Sequence, residues 1–134
     1  MLKEILSVHG EHGLFRLVSQ TTKMVIVESL KDGKRKPFFL DKKIISLNDV
    51  AIYTDSEECP LWKVLDTIKT QQQSTPLAID TKKASATELY DWFASVLPDF
   101  DKDRVYPTDI KKIILWYNQL IESGITDFIE KEEK

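Results

Sequence analysis

Three sets of residues have types and spacings that could support chemistry. His9 and His12 stand three apart in the run His9-Gly10-Glu11-His12. Neutral imidazole nitrogen suits zinc or nickel, but a site needs a third or fourth ligand in fixed geometry. The sequence singles out none beyond Glu11, so the expectation is a hairpin turn with exposed histidines and no metal. Asp99, Asp101 and Asp103 have the alternate spacing that opens a calcium loop. That loop also requires Gly at its sixth position and Glu at its twelfth. Arg104 and Ile110 stand there instead. The three acids are expected to place negative charge around a helix–helix loop, with Arg104 as an internal partner. Cys59 precedes an expected helix start, which favours the thiolate, but Glu57 and Glu58 flank it and disfavour that form. No nucleophile–base–orienter set, glycine-rich phosphate loop or carboxylate pair emerges from spacing. No catalytic residue, cofactor or metal is therefore assigned, and the expected function is non-enzymatic.

Two further groups suggest binding. Lys34, Arg35 and Lys36 follow an Asp32-Gly33 turn, with Phe38 and Phe39 next and Lys43 nearby. Cations for phosphates beside an aromatic for base stacking are the components of a single-strand nucleic-acid surface. In a strand, one of two adjacent phenylalanines faces outward. Asp32 and Asp41 dilute this patch, and a solvated hairpin that protects an edge strand has the same composition. The second group lies on the last long helix, where Trp116 and Leu115 fall off the main apolar stripe. A helix apolar on two sides is buried on both or meets a partner. Two function classes follow. One is a protein-interaction or scaffolding module, working through Trp116, Leu115, Asp99, Asp101 and Asp103. The other is a nucleic-acid-binding accessory protein, working through Lys34, Arg35, Lys36, Phe38, Phe39 and Lys43. The partner is then a protein, a second copy or a nucleic acid.

The elements that position these residues divide at mid-chain. Residues 1–54 read as short strands: "ILSV", "LFRLVSQ", "MVIVESL", "KPFFL", "KIISL" and "NDVAIYT". Asp32-Gly33 marks a two-residue type I′ hairpin turn. Five or six short strands joined by tight turns predict a small SH3-like β-barrel. The rest reads as helices. Leu61, Val64, Leu65 and Ile68 share one helical face, with Pro60 in the first turn and the preceding acids at the helix N-terminus. Residues 72–84 are polar and without period, and are expected to be a linker in which Leu77 and Ile79 are able to dock. Ser85 and Glu88 match a capping box ahead of a stripe of Leu89, Trp92, Phe93, Val96 and Leu97. Thr108 is the expected cap of a last helix carrying Ile110, Ile113, Ile114, Tyr117, Leu120 and Ile121, which Gly124 ends. The expected class is α+β: residues 1–71 a barrel with a bridging helix, 72–84 a linker, and 85–130 a helix-loop-helix domain with a frayed tail.

Composition sets outer bounds. The chain has 134 residues, is 42% hydrophobic and 31% charged, and carries a net charge of −3. That is ordinary globular composition. Residues 1–54 are net +3 and residues 55–134 net −6, so the halves present different surfaces. One cysteine excludes an internal disulfide and fits a reducing, cytoplasmic setting. The charged N-terminus is unlike a signal peptide. No apolar run approaches the roughly 18 residues that span a bilayer. The stretches "LKEILSVHGEHGLFRLVSQ", "IVESL", "ISLNDVAIYT", "PLWKVLDTIK" and "LPDFDKDRVYPTDIKKIILWYNQL" resemble an uncharacterised family of Bacteroidetes proteins with two adjoining domains of unknown function. The resemblance implies a bacterial cytoplasmic protein with a barrel-like N-terminal part and a helical C-terminal part. It implies no activity and no site residue.

Overall fold

The computed structural model describes residues 2–11, 13–126 and 128. His12 and the expected tail at 130–134 lie outside the described residues. The chain is α+β: an antiparallel sheet followed by three helices. The sheet strands are β1 (Ile5–Val8), β2 (Phe15–Gln20), β3 (Met24–Ser29), β4 (Arg35–Phe39) and β5 (Ile44–Ser46), in the order β4-β3-β2-β1-β5. A two-stranded ribbon, β6 (Ala51–Ile52) with β7 (Cys59–Pro60), leads into the helices. These are α1 (Leu61–Gln72), α2 (Ala86–Val96) and α3 (Pro107–Glu122).

The sheet is open, which corrects the expectation of an SH3-like barrel: β4 and β5 are its two edges. The division of its faces gives the reason. Leu6, Val8, Phe15, Val25, Val27 and Phe38 form a core of their own on one face. Phe15 and Phe38 meet edge to face at 5.4 Å although β3 lies between their strands, so the sheet curls over this face. Near β1 the opposite face is already taken. Leu2, Ile5, Leu14 and Leu47 join the helical residues Leu65, Ile68, Phe93, Ile113 and Tyr117 in a second, larger core. A sheet covered by helices buries apolar area without closing on itself. Its two edges differ. The Leu40 N–H donates to the Lys23 carbonyl, which fixes the hydrogen-bonding phase and turns the Pro37 nitrogen toward the open side of β4. Proline there forfeits no ladder bond and denies one to a neighbour. At the other edge, β5 is only three residues long.

Local corrections also have physical causes. The β3–β4 turn is not a two-residue type I′ turn. Ser29 N–H donates to the Lys34 carbonyl and Gly33 N–H to the Ser29 carbonyl, leaving a loop of residues 30–33. Gly33 takes positive φ and Asp32 does not. The Asp32 carboxylate instead accepts from Lys34 N–H at 2.9 Å, an Asx contact that stabilises a longer loop. The acids before α1 are not in its first turn, because Cys59-Pro60 pairs with Ala51-Ile52 and takes the chain up as a strand. For α3 the cap moves from Thr108 to Tyr106. Pro107 takes the first helical position, and the Asp109 carboxylate accepts the Tyr106 N–H at 3.0 Å. Ser85 caps α2 through its hydroxyl, which accepts Glu88 N–H at 3.1 Å. Gly124 ends α3 in a Schellman pattern, with Ile125 N–H on the Leu120 carbonyl and Gly124 N–H on that of Ile121.

Two clasps from α3 tie the irregular segments down. The Leu14 N–H donates to Gln119 Oε1 at 2.6 Å. The Asn118 amide accepts from the Leu77 N–H at 2.7 Å and donates to the Leu77 carbonyl at 3.3 Å. The Tyr117 hydroxyl donates to the Thr75 carbonyl at 2.8 Å. Leu77 is buried in the larger core and the partly buried Ile79 packs against the same core, so residues 75–79 lie along it.

Candidate functional site: a groove around Trp116

Trp116 lies one turn after Lys112 on α3, and both fall off the stripe that α3 sends into the core. The indole is half-buried against the larger core. Two cavities adjoin at this point and share Ile45, Lys112 and Trp116. One, of about 390 Å³, extends toward Ser7, His9, Glu11 and Lys43. The other, of about 240 Å³, extends toward Val50, Tyr53, Arg104 and Asp109. Together they make a groove between α3 and the β1/β5 end of the sheet. Ile45 is 41% exposed in its wall. It faces this side because the register pairs it with Ser7, whereas its neighbour Ile44 turns into the sheet's own core.

The charges along the groove differ in how far they are already engaged. Asp109 caps α3, and Glu11 lies 3.7 Å from Lys36. The Arg104 guanidinium stacks over Tyr53 at 4.4 Å and bonds Asp101 at 2.7 Å. Arg104 holds the Asp101 carboxyl below the ordinary carboxylate range, helped by the Asp103 N–H. Lys43 and Lys112 are exposed, and among the described residues neither has an ion-pair partner. The groove thus offers an indole, an aliphatic wall and two uncompensated ammonium groups.

The other sequence-predicted residues fall elsewhere. Leu115 is 54% exposed and faces a separate, wider groove of about 950 Å³ between α3 and the β3–β4 hairpin. Charges of both signs line it: Lys31, Lys36 and Lys82 against Glu11, Asp32 and Glu122. Asp99 borders the Cys59 cavity, and its carbonyl accepts the Asp55 N–H. Asp101 is engaged by Arg104, while Asp103 is exposed. The structure therefore does not bring Trp116, Leu115 and the three acids to one surface. The basic hairpin divides as well. Strand alternation sends Lys36 to the curled face beside Glu11, and Phe38 into that core at 7% exposure. Arg35 and Phe39 take the opposite face, where Arg35 is in register with Glu28 and, across β3, with Arg16. Phe39 is 61% exposed. Lys34 closes the loop opposite Ser29, and Lys43 belongs to the Trp116 groove.

Cys59 lines a cavity of about 390 Å³ with Lys63, Thr67, Glu57, Glu58 and Asp99. Burial pushes its thiol up. Lys63 opposes this and Asp99 adds to it, so the group is protonated at neutral pH. The acid that acts on the thiol is Asp99, not the flanking Glu57 and Glu58 expected from the sequence. His9 borders the Trp116 groove. Among the described residues no set of three or more His, Cys, Asp or Glu side chains is placed to hold a metal ion, and no helix is long and apolar enough to cross a membrane. The sequence reading missed Ile45 and Lys112. Lys112 was detectable as the i−4 neighbour of Trp116. Ile45 was detectable only in part: of two adjacent isoleucines in a strand, one faces outward.

Comparison with known proteins places the chain without assigning an activity. Residues 2–47 match the domain of unknown function DUF5606, and residues 50–120 match the domain of unknown function DUF6852. The chain is similar to a protein from Bacteroides vulgatus whose solution NMR structure was a Northeast Structural Genomics Consortium target. The two are 50% identical, with 96% of this chain and 91% of that chain covered and a TM-score of 0.80. No curated protein matches. The resemblance expected from the sequence holds, and the chain belongs to the DUF6852 family, with a DUF5606 domain adjoining it on the N-terminal side.

Proposed function

We propose that the protein is a non-enzymatic interaction module and that its binding surface is the groove around Trp116. One observation carries the reading: a half-buried indole at the junction of two adjoining cavities, faced by an exposed isoleucine from another element. Aromatic anchors in such settings dominate interface energetics. The test is quantitative affinity purification from the source organism with three tagged forms: wild type, Ile45→Ser and Phe39→Ser. Partners lost from Ile45→Ser and kept by Phe39→Ser support the groove. Identical partner sets for all three sink it. Both substitutions are at exposed positions, so the comparison does not turn on folding.

A second reading draws on the outer sheet face, which carries Arg16, Arg35 and, four residues further along β4, the exposed Phe39. These are the parts of a single-strand nucleic-acid surface, with Glu28 between the arginines counting against it. Fluorescence anisotropy with labelled single-stranded RNA and DNA, at low and moderate salt, tests it on wild type and on Arg16→Ser/Arg35→Ser. Salt-sensitive binding lost in the double variant supports phosphate contact. No binding at low salt removes this reading.

A further inference from the structure

The chemistry of the groove specifies what it takes. We infer that its occupant is an extended, acidic peptide segment that anchors one apolar side chain beside Trp116, an inference that rests on the groove being the binding surface. Three observations converge.

The first is charge. The acids along the groove are engaged, Asp109 at the α3 cap and Glu11 near Lys36. Lys43 and Lys112, on opposite walls, have no ion-pair partner among the described residues. A ligand that brings carboxylates between them gains two favourable interactions and displaces no internal pair. A basic ligand meets only repulsion from these lysines. The second is shape. The two cavities run into one another past Trp116, so the site is longer than a single side chain needs, and its walls at Ile45 and Trp116 are apolar. The third is the backbone. β5 is an edge strand. His9 N–H donates to the Lys43 carbonyl, which makes Val8–Ile44 a non-hydrogen-bonded pair and turns the Ile44 N–H and C=O toward the open side. Ile44 itself lines neither cavity, but its neighbours Lys43 and Ile45 do, so a peptide that passes from the groove along β5 is able to pair with these groups, as in strand addition. Unlike β4, this edge carries no proline.

The wider groove beside Leu115 is a weaker candidate because its charges are balanced. The Cys59 cavity is a weaker candidate too, since Lys63 stands there among Glu57, Glu58 and Asp99 and no aromatic anchor lines it.

The experiment is selection of a phage-displayed library of random dodecapeptides on the full chain. Enriched peptides are then measured by anisotropy against wild type, Trp116→Ala, Ile45→Ser and Lys43→Glu/Lys112→Glu. Circular dichroism verifies the folding of each variant, and Ile45→Ser serves if Trp116→Ala fails to fold. The expected result is acidic sequences with one aromatic or large aliphatic residue. Their affinity should fall about tenfold on charge reversal, the scale of two rim ion pairs turned repulsive, and weaken with salt. Groove-dependent peptides that are neutral or basic and indifferent to charge reversal would overturn the acidic assignment while leaving the groove as the binding surface. Enriched peptides indifferent to every groove variant, or no enrichment, would overturn both.

Discussion

Gly13 and Gly10 provide a matched test of the clasp between the sheet and α3. Both take positive φ, 83° and 84°. An alanine at either position therefore meets the same left-handed penalty, about 1–2 kcal/mol. Their surroundings differ. A Cβ at Gly10 meets nothing within 4 Å, whereas one at Gly13 falls 2.9 Å from Gln119 Nε2 and 3.4 Å from its Oε1. That amide end is the flexible tip of its side chain, so it would move aside rather than clash. Moving costs its bond to the fully buried Leu14, whose N–H is then left without an acceptor. An unsatisfied buried donor costs about 1–3 kcal/mol. Gly10→Ala should thus lose about 1–2 kcal/mol, from backbone strain alone. Gly13→Ala should lose about 2–5 kcal/mol, from strain plus the orphaned N–H. Equilibrium urea unfolding measures both, with the m-value checked for constancy. In a Gln119→Ala background the Leu14 bond is already gone, and Gly13→Ala should fall back to the cost of Gly10→Ala. Equal losses for the two single variants, within about 0.5 kcal/mol, would refute the clasp.

Other outcomes follow from the same structure. Gln73 caps α1 in the left-handed region at φ 54°; Gln73→Gly should stabilise the protein by about 1 kcal/mol and raise its melting temperature by a few degrees. Asn118→Ala removes both bonds to the Leu77 backbone; it should cost about 1–3 kcal/mol and speed hydrogen exchange at the Leu77 amide selectively. The Cys59 thiol is raised by burial, so alkylation at pH 8 should lag behind a free cysteine and the rate–pH midpoint should lie above the ordinary thiol value. The Asp101 carboxyl is held down by Arg104. Its contribution to stability is present above the unfolded carboxylate pKa and is lost as pH falls through the lower folded one. A carbon-13 titration should place its midpoint below 3.8, and Arg104→Gln should move it up.

What was legible in the sequence follows from the range of the interactions. The buried faces of α1 and α3 were readable because a helix's own period sorts its side chains: Leu61, Val64, Leu65, Ile68, Ile110, Ile113, Ile114, Tyr117 and Leu120 are all buried. Strand positions were readable for a similar reason. Barrel closure was not, since it depends on whether β4 and β5 meet, and both are set by pairing with other strands. Runs of two apolar residues, Phe38-Phe39 and Ile44-Ile45, announced that one member is exposed, but only the register says which. Trp116 stood out as off its stripe. What it faces depends on where α3 crosses the sheet, and no local pattern encodes that. The Pro60 turn was misread because β7 exists only by virtue of its distant partner β6.

The larger core has a consequence for inheritance. Leu2, Ile5, Leu14 and Leu47 come from the stretch matching one family, while Ile52, Leu65, Phe93 and Tyr117 come from the stretch matching the other. A recombination breakpoint between residues 47 and 50 would leave two products, each with its side of one shared apolar interior uncovered. The two stretches should therefore be inherited together, since each covers the apolar side chains of the other.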